Sequence, residues 1–379
     1  MMTAFAAQPL PNWRRAVLKV GSSLLAGDGR LDPLHARGLA GFIAASRAQG
    51  REVVLVSSGA VAAGRGRIGA AGNGIVQRQA LAALGQASLM GFWQALFEAP
   101  VAQVLLTHDD LRNRRRYLNA RTALQELLRL GAQPIVNEND TVAVDELKLG
   151  DNDNLAAAVA SLVEADLLLI ATDIAGLYSG HPLHDPTAQP IERIASVTPD
   201  VLAMAGGAGT LGTGGMRTKL EAASKASAAG IATVLFCGRD AATVDALAHG
   251  TLHGTFIAAH GNRISARKQW LRHSPTSGAI EVDDGAKAAL LRGASLLPGG
   301  VRRVEGDFRR GDVVDVRAAD GELLARGQAQ YNAKESARIA GRHSRDIEAI
   351  LGFRYDEAMI HRDDLVLLQH TDMSKEAVV

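Results

Sequence analysis

Several features are scarce or absent in this chain of 379 residues, and each absence excludes a class of protein. The chain holds one cysteine, Cys237, so an intrachain disulfide cannot form, which is typical of proteins from a reducing cytoplasm. No uninterrupted apolar run approaches the roughly 18 residues that a transmembrane helix needs. The formal net charge is only +1, so nothing global favours a nucleic-acid or membrane partner. We therefore expect a cytoplasmic protein without a membrane partner.

The length and composition are those of a globular protein with two domains. Hydrophobic residues make up 47% of the chain and charged residues 21%, and the length exceeds that of one ordinary domain. The first twelve residues lack the basic and apolar regions of a signal peptide. We expect residues 1–12 to be a flexible extension and residues 371–379 to be a flexible tail.

Short apolar runs alternate with helix-like segments between residue 15 and about residue 260. Strands that are apolar throughout and separated by helices indicate a mainly parallel sheet covered on both faces, which makes a three-layer α/β/α sandwich. The predicted strands are Ala16–Val20, Val53–Val56, Val101–Leu106, Pro134–Val136, Leu167–Ile170 and Ile231–Phe236. The clearest predicted helices are Ile75–Ala99, Tyr117–Leu130 and Asn154–Val163.

Small polar and charged residues gather where several of these predicted strands end. In open α/β sheets, ligands bind at the carboxyl edge of the strands. Strands end in turn residues in any case, but that rule does not account for a lysine and several carboxylates among them. The residues at these ends include Lys19, Gly21, Ser58, Asp140, Thr172 and Asp173.

The segment Ala205–Gly230 begins as a glycine-rich loop and continues as an amphipathic helix with Lys219 near its start. Free backbone N–H groups at a helix N-terminus, with a lysine beside them, form a phosphate site. The chain contains no G-x-x-x-x-G-K-[ST] loop, so this site belongs to a kinase architecture other than the P-loop. Two G-x-G-x-x-G matches, Gly64–Gly69 and Gly207–Gly212, do not directly follow a predicted strand, so we reject a nicotinamide cofactor.

The segment Asn137–Ala160 concentrates asparagine and aspartate ahead of a predicted helix. One of the residues Asp151–Asn154 is expected to cap that helix, but four in a row exceed what capping needs. Amide and carboxylate side chains suit the ammonium group of an amino acid, and one aspartate could instead order lysines or Mg²⁺. The chain has no His/Cys cluster, which argues against zinc.

The charge pattern of these residues fits phosphoryl transfer to a carboxylate. A carboxylate is already a nucleophile, so the main difficulty is to bring two anions together. Lys19 and Lys219 are the natural lysines to offset that repulsion. We expect Mg²⁺ to enter with ATP rather than on protein ligands.

The sequence texture changes after about residue 263. Residues 13–262 are expected to form the kinase domain, residues 263–275 a linker, and residues 276–370 a small, mostly β domain. The clearest signal in that domain is a β-hairpin around Asp320-Gly321. Helical pieces are expected around Asp284–Arg292 and Ala333–Ala340.

Eight motifs between Arg14 and Leu367 carry a resemblance to a known family. They are VLKVGSSLL, VSSGAVAAGR, LLTHDD, RRYLNARTAL, PIVNENDTVA, KLGDNDNLAA, LLIATDIAGLY and LGTGGMRTK. Together they resemble the glutamate 5-kinases, which are amino-acid kinases with a C-terminal PUA domain. The first and last motifs are shared among amino-acid kinases, whereas NENDTVA, GDNDN and the PUA-like tail select the glutamate enzymes.

The resemblance implies that ATP phosphorylates the side-chain carboxylate of L-glutamate to give L-glutamyl 5-phosphate, the first step of proline biosynthesis. It implies the amino-acid kinase fold, with Lys19, Asp153 and Lys219 as catalytic residues and Asp153 organising the lysines. The implied glutamate-binding residues are Ser58, Asp140, Asn152 and Asp151. The implied nucleotide-binding residues are Lys19, Gly21, Thr172, Asp173, Thr213, Gly214, Gly215, Met216 and Lys219. The resemblance also implies a homo-oligomer (dimer or tetramer), feedback inhibition by proline, and hand-off of the product to a glutamyl-phosphate reductase.

Three alternatives stay open at this point. The substrate could be another carboxylate, that of aspartate or N-acetylglutamate. The PUA-like domain could bind RNA through four arginines, although residues 275–370 hold 16 acidic against 14 basic residues, which argues against it. A second basic group before Tyr117 is either a solvated face or a contact with an anion or another subunit. The four arginines are Arg302, Arg303, Arg309 and Arg310, and the second group is Arg112 with Arg114–Arg116.

Overall fold

The computed structural model describes most of the chain, and the chain divides into two compact units, Met1–Asn262 and Arg263–Val379. The described residues are 4–27, 30–69, 74–143, 152–180, 185, 187–205, 215–260, 268, 271–272 and 274–368. Within these ranges, no helix has the length and apolar character needed to cross a membrane.

The first unit alternates strands and helices, as the apolar runs predict. Its strands are β1 (Gln8–Pro9), β2 (Arg15–Val20), β3 (Ala26–Gly27), β4 (Arg30–Leu31), β5 (Glu52–Ser57), β6 (Val101–Leu106), β7 (Gln133–Glu138), β8 (Leu167–Thr172), β9 (Arg193–Ile194), β10 (Ala232–Cys237), β11 (Thr251–Leu252) and β12 (Gly254–Ile257). Its helices are α1 (Pro33–Ala48), α2 (Ala60–Ile68), α3 (Ile75–Gln94), α4 (His108–Arg112), α5 (Arg114–Arg129), α6 (Asn152–Leu162), α7 (Pro199–Met204), α8 (Met216–Ala228) and α9 (Ala241–Ala248). All six predicted strands are present, and the helix predicted over Ile75–Ala99 ends earlier, at Gln94.

The central sheet of the first unit is mainly parallel, which confirms the prediction. In the described residues its strand order is β6-β7-β5-β2-β8-β10-β12-β9. Neighbours from β6 through β10 are all parallel, and β12 pairs antiparallel with β10. Because parallel strands share a direction, the carboxyl ends of β2, β5, β7 and β8 lie along one edge of the sheet.

Alternate residues of the central strands face opposite layers. Leu18 and Val20 of β2 pack into a core with side chains of α1, α3 and α9, whereas Val17 packs into a second core with α5, α6 and α8. By the same alternation Lys19 shares the face of Val17. The layer that contains α6 and α8 therefore receives a buried lysine in place of an apolar side chain.

Helices α2 and α3 pack unusually close together, and glycine makes this possible. A β-carbon built on Gly85 of α3 would lie 1.9 Å from the carbonyl oxygen of Ala60 and 2.4 Å from the backbone nitrogen of Gly64. A β-carbon on Gly64 would lie 2.0 Å from the carbonyl oxygen of Leu81. Gly64, the first residue of one G-x-G-x-x-G match, is thus required by helix packing. The other match, Gly207–Gly212, lies outside the described residues.

The N-terminal residues from 4 onward belong to the folded unit, so the prediction of a flexible extension is wrong for them. Strand β1 pairs antiparallel with β11, with Gln8 opposite Leu252. Phe5 is buried and its ring packs edge-on against Tyr178, with the ring centroids 5.2 Å apart. Phe5 in this segment therefore packs against Tyr178, a residue far away in the sequence.

The described residues of the second unit include a five-stranded sheet and several short helices. Its strands are β13 (Gly278–Val282), β14 (Val301–Gly306), β15 (Val313–Ala318), β16 (Leu323–Gln328) and β17 (Leu365–Leu367), in the order β14-β13-β15-β16-β17. Its helices are α10 (Asp284–Leu291), α11 (Ala333–Ile339) and α12 (Ile347–Leu351). Strands β15 and β16 pair antiparallel across the predicted hairpin, where Gly321 has a φ of +86°.

The predicted linker and tail are only partly described. Within the predicted linker, Leu271 is buried against Val313 and Val366 of the second unit, so this residue is part of a packed core. Residues 371–379, the predicted tail, lie outside the described residues.

Candidate active site

Three charged side chains meet at the carboxyl edge of the central sheet. The Nζ atom of Lys19 lies 2.5 Å from Oδ1 of Asp153, and the Nζ atom of Lys219 lies 3.4 Å from Oδ2 of the same carboxylate. All three side chains are buried. The three residues predicted as the catalytic set are therefore brought together around one carboxylate.

Burial and charge act in opposite directions on this cluster. Burial raises the pKa of the Asp153 carboxyl, but the positive charges of Lys19 and Lys219 outweigh it, so the pKa lies below its ordinary value. Burial lowers the pKa of Lys219, and the Asp153 carboxylate opposes that effect. An anion bound beside the two ammonium groups would reduce the repulsion between them.

Two helix starts place these groups. Asp153 lies in the first turn of α6, and Lys219 lies in the first turn of α8. Thr218 Oγ1 donates a hydrogen bond of 2.7 Å to Asp153 Oδ2, which ties the two helix starts together. A second hydrogen bond between the two helices, of 2.6 Å, is donated by Lys225 Nζ to Asn154 Oδ1.

The start of α8 is suited to a phosphate group. Gly215 is the N-cap residue of this helix, and it has no side chain with which to cap the first backbone N–H groups. Met216 is the first residue of the helix, and Lys219 follows at the end of its first turn. The predicted residues Thr213 and Gly214 lie outside the described residues.

Gly21 keeps the space beside Lys19 open. It directly follows β2, and a β-carbon built on it would lie 3.5 Å from Lys19 Nζ. Its φ of −78° and ψ of 161° are ordinary for any residue, so the backbone does not require glycine here. Because Gly21 has no side chain, the space next to the Lys19 ammonium group stays open. A bound phosphate would fit in that space.

The predicted nucleotide residues Thr172 and Asp173 lie at the end of β8, on the same edge of the sheet. The Thr172 hydroxyl donates to Asp173 Oδ1 over 3.2 Å. Cys237, at the end of the neighbouring strand β10, lies with its Sγ atom 3.8 Å from the Asp173 carbonyl oxygen. The ends of β8 and β10 therefore lie side by side at this edge of the sheet.

A second polar cluster adjoins the charged one and contains two of the predicted substrate residues. Asn152 Nδ2 donates to Ser58 Oγ over 2.9 Å and to Asn137 Oδ1 over 3.0 Å. Since Asn152 immediately precedes Asp153, the two clusters are contiguous. Asn137 was not among the predicted site residues. Its place directly after the predicted strand Pro134–Val136, at the carboxyl edge of the sheet, is the signal that could have identified it.

Asp140 lies in the loop after β7. Burial raises the pKa of its carboxyl from 3.8 to about 6, and the positive charge of Arg78 on α3 only partly offsets the effect of burial. Asp151, the fourth predicted substrate residue, lies outside the described residues.

The basic run before Tyr117 is mostly an exposed face with acidic partners. Arg112 lies 3.8 Å from Asp109, and Arg116 lies 3.0 Å from Asp110, with both arginine side chains exposed. This arrangement fits the interpretation of a solvated face.

The four arginines of the second unit do not share one environment. Arg303, on the exposed strand β14, lies 3.3 Å from Glu305. Arg310 is instead partly buried, with its guanidinium carbon 3.9 Å from the centroid of the Tyr355 ring. Arg302, Arg303 and Arg309 are exposed, so Arg310 alone of the four is drawn away from a face that RNA would contact.

Comparison with known proteins agrees with the resemblance drawn from the motifs. The model of the amino acid kinase family matches residues 14–237, and the PUA domain model matches residues 278–351. A glutamate 5-kinase of Xanthomonas axonopodis pv. citri is 64% identical over 363 residues, which cover 93% of this chain and 100% of the relative. A glutamate 5-kinase of Xylella fastidiosa is 60% identical over 375 residues, covering 96% of this chain and 98% of the relative. The crystal structure of the UMP kinase of Bacillus anthracis matches 66% of this chain and 98% of its own, with 16% identity and a TM-score of 0.45.

Proposed function

The chain belongs to the glutamate 5-kinase family of amino acid kinases, and from this premise we propose that it transfers the terminal phosphoryl group of ATP to the side-chain carboxylate of L-glutamate. The product is L-glutamyl 5-phosphate, and the reaction is the first step of proline biosynthesis. The observation that supports this function best is that a lysine–aspartate–lysine cluster and the polar cluster around Asn152 meet at two consecutive residues, Asn152 and Asp153, at the start of α6.

The charged cluster supplies what this reaction needs from a protein. The attacking carboxylate is already ionised at neutral pH, so the reaction does not need a strong general base. Lys19 and Lys219 offset the repulsion between the carboxylate and the transferred phosphoryl group. Asp153 holds both ammonium groups in place and is a positioning residue. Mg²⁺ bound with ATP would neutralise further phosphate charge.

The remaining predicted residues are divided between the two substrates. Ser58, Asn152 and Asp140, with Asp151 beside them in the sequence, would hold glutamate. Thr172, Asp173, Gly21 and the sequence segment Thr213–Lys219 would hold the nucleotide. The N-terminus of α8, where the N-cap residue Gly215 has no side chain to cap the first backbone N–H groups, supports the placement of the phosphates.

The family resemblance extends the proposal beyond the site. We expect the kinase domain to occupy residues 13–262 and the PUA domain residues 276–370. We also expect a homo-oligomer, inhibition by proline, and transfer of the labile product to a glutamyl-phosphate reductase. Sedimentation at two protein concentrations would check the homo-oligomer, and a proline titration of the activity would check the inhibition.

Hydroxamate formation tests the proposed function directly. The purified protein, ATP and Mg²⁺ are incubated with hydroxylamine and one of three acids: L-glutamate, L-aspartate or N-acetyl-L-glutamate. We expect ATP-dependent γ-glutamyl hydroxamate with glutamate and little product with the other two acids. Equal turnover of aspartate or N-acetylglutamate would contradict the substrate assignment, and no product with any of the three acids would contradict the function.

A further inference from the structure

Helix α3 runs along the substrate half of the site and contacts it through one face. Gln79, Gln86 and Trp93 are spaced two helical turns apart, so they lie on the same side of the helix. Trp93 Nε1 donates to Ser57 Oγ over 2.9 Å, next to Ser58. Gln79 Nε2 donates to the carbonyl oxygen of Ala143 over 3.4 Å, in the loop that carries Asp140.

Gln86, between these two, contacts the polar cluster itself. Its Oε1 atom accepts a hydrogen bond of 3.1 Å from Asn137 Nδ2. Asn137 in turn contacts Asn152, whose amide reaches Ser58. A chain of hydrogen bonds therefore leads from α3 to the predicted substrate residues.

The direction of every hydrogen bond in this chain is set by one backbone group. The backbone N–H of Glu138 can only donate, and it donates to Asn137 Oδ1 over 2.9 Å. The opposite end of the Asn137 amide is therefore its NH₂ group, which must face an acceptor, and Gln86 Oε1 is that acceptor. For the same reason Asn152 must turn its NH₂ group toward Asn137 Oδ1.

This fixed direction has two consequences at the substrate side of Asn152. Both hydrogens of its NH₂ group are used, by Asn137 and by Ser58, so the Ser58 hydroxyl accepts there and keeps its own hydrogen for another partner. Asn152 Oδ1 is buried without a hydrogen-bond partner in the part of the chain that the structure describes. A buried acceptor of this kind costs free energy unless a ligand donates to it.

We propose that Gln86 is a positioning residue for the amino-acid substrate. By holding Asn137, and Asn152 through it, Gln86 orients the cluster so that Ser58 offers a hydroxyl donor to a substrate carboxylate and Asn152 offers an oxygen to the substrate ammonium group. The inference rests on the proposed function, because it assumes a substrate that carries both groups.

The test compares three variants in the full-length protein. Gln86→Met keeps the length of the side chain but removes the acceptor, so the Asn137 NH₂ group loses its partner. Gln86→Glu keeps an acceptor oxygen at the same place. Gln94→Met is the matched control, because Gln94 lies on the same helix and hydrogen-bonds only to the segment leading into β6 among the described residues.

Initial rates of ADP formation are measured against glutamate and against ATP. We expect Gln86→Met to raise the KM for glutamate about tenfold or more, as befits a buried donor left without a partner, with the KM for ATP within about twofold of wild type. Gln86→Glu is expected to recover most of that loss, and Gln94→Met to leave both KM values unchanged.

An unchanged KM for glutamate in Gln86→Met, or an equal loss in Gln86→Glu, would overturn the role of Gln86 while leaving the kinase function intact. A wild-type protein without glutamate-dependent ADP formation would instead overturn the proposed function and this inference together. If Gln86→Met does not fold, a double-mutant cycle of Gln86→Glu with Asn137→Asp replaces it. Two facing carboxylates should then impair glutamate binding more than the sum of the single effects, and additive effects would refute the contact.

Discussion

The ammonium group of Lys19 and the carboxylate of Asp153 lie 2.5 Å apart, which joins the end of strand β2 to the first turn of helix α6 in a buried ion pair. Taking two charges out of water carries a desolvation penalty that their mutual attraction often fails to recover. An apolar pair at this place would pack between sheet and helix without that penalty. The ion pair is therefore better explained by chemistry at the sheet edge than by stability.

Asp153→Asn separates the positioning of the lysines from their charge. The amide keeps the shape of the side chain but no longer holds the two ammonium groups by charge. We expect kcat to fall about 100-fold, in the range seen when preorganised charge is lost, while the KM for ATP does not rise, because the lysines keep their attraction for phosphate. Steady-state kinetics against ATP check this. The control is Asp245→Asn, at a highly exposed position on α9, which should behave as wild type. Unchanged kcat in Asp153→Asn would contradict the role.

Gly21→Ala tests the space beside Lys19. The backbone at Gly21 suits alanine, so we expect no loss of thermal stability. The added methyl group would lie 3.5 Å from the Lys19 ammonium and intrude where a phosphate group would approach it. We expect a KM for ATP raised by about tenfold, the equivalent of roughly 1.4 kcal/mol. The matched control is Gly41→Ala on helix α1, where a β-carbon meets nothing within 4 Å. Equal ATP kinetics in the two variants would show that the space at Gly21 has no part in nucleotide binding.

The raised pKa of the Asp140 carboxyl predicts that glutamate binding depends on pH. Burial raises the pKa of its carboxyl to about 6, so the carboxylate that would bind the substrate ammonium group is lost as the pH falls through about 6. We expect the KM for glutamate to rise below that pH in the wild type. In Asp140→Asn we expect a KM that is high at every pH and does not show this rise. A wild-type KM that stays constant between pH 5 and 8 would contradict the assignment.

The same shift has a consequence for stability. The folded protein binds the Asp140 proton more tightly than the unfolded chain, so ionisation above the ordinary value of 3.8 destabilises the fold, and the full penalty is present above about pH 6. Asp140→Asn removes this penalty. Urea unfolding should therefore show the variant to be more stable than wild type at pH 8, by a margin that shrinks toward pH 5. A stability margin that grows toward pH 5 would contradict the raised pKa of Asp140.

The parallel sheet and the polar residues at its carboxyl edge are predictable from the sequence because both follow from local patterns. Uniformly apolar runs identify the strands, and residues that follow parallel strands must meet at one edge, which brings Lys19, Ser58 and Thr172 together. The role of Asp153 came from family motifs, since no local rule tells which of four adjacent Asn and Asp residues faces a lysine.

Other features depend on contacts that local patterns do not encode. Gln86 and Trp93 lie on a helix that the sequence predicts without linking it to the site, and only the fold reveals that their polar atoms reach Asn137 and Ser57. The two-residue strand β1 was missed because its partner β11 lies near the opposite end of the first unit. Pairing over such a sequence distance leaves no signal in a segment of a dozen residues.

Gly85 and Gly91, both in helix α3, give opposite predictions for the same substitution. Alanine at Gly91 meets nothing within 4 Å and should stabilise the helix by about 1 kcal/mol through helix propensity. Alanine at Gly85 would place its methyl group 1.9 Å from the carbonyl oxygen of Ala60, so α2 and α3 must move apart. Overpacking of this kind typically costs about 1–3 kcal/mol.

Helix α2 begins directly after Ser58 and Gly59, and α3 carries Gln86, so a shift between the helices should also disturb the substrate cluster. We therefore expect Gly85→Ala to lower the melting temperature and raise the KM for glutamate, and Gly91→Ala to do neither. Thermal unfolding and glutamate kinetics on the two variants check both effects. If Gly85→Ala were as stable as Gly91→Ala, the close packing of α2 on α3 could not be what positions Gln86 against Asn137.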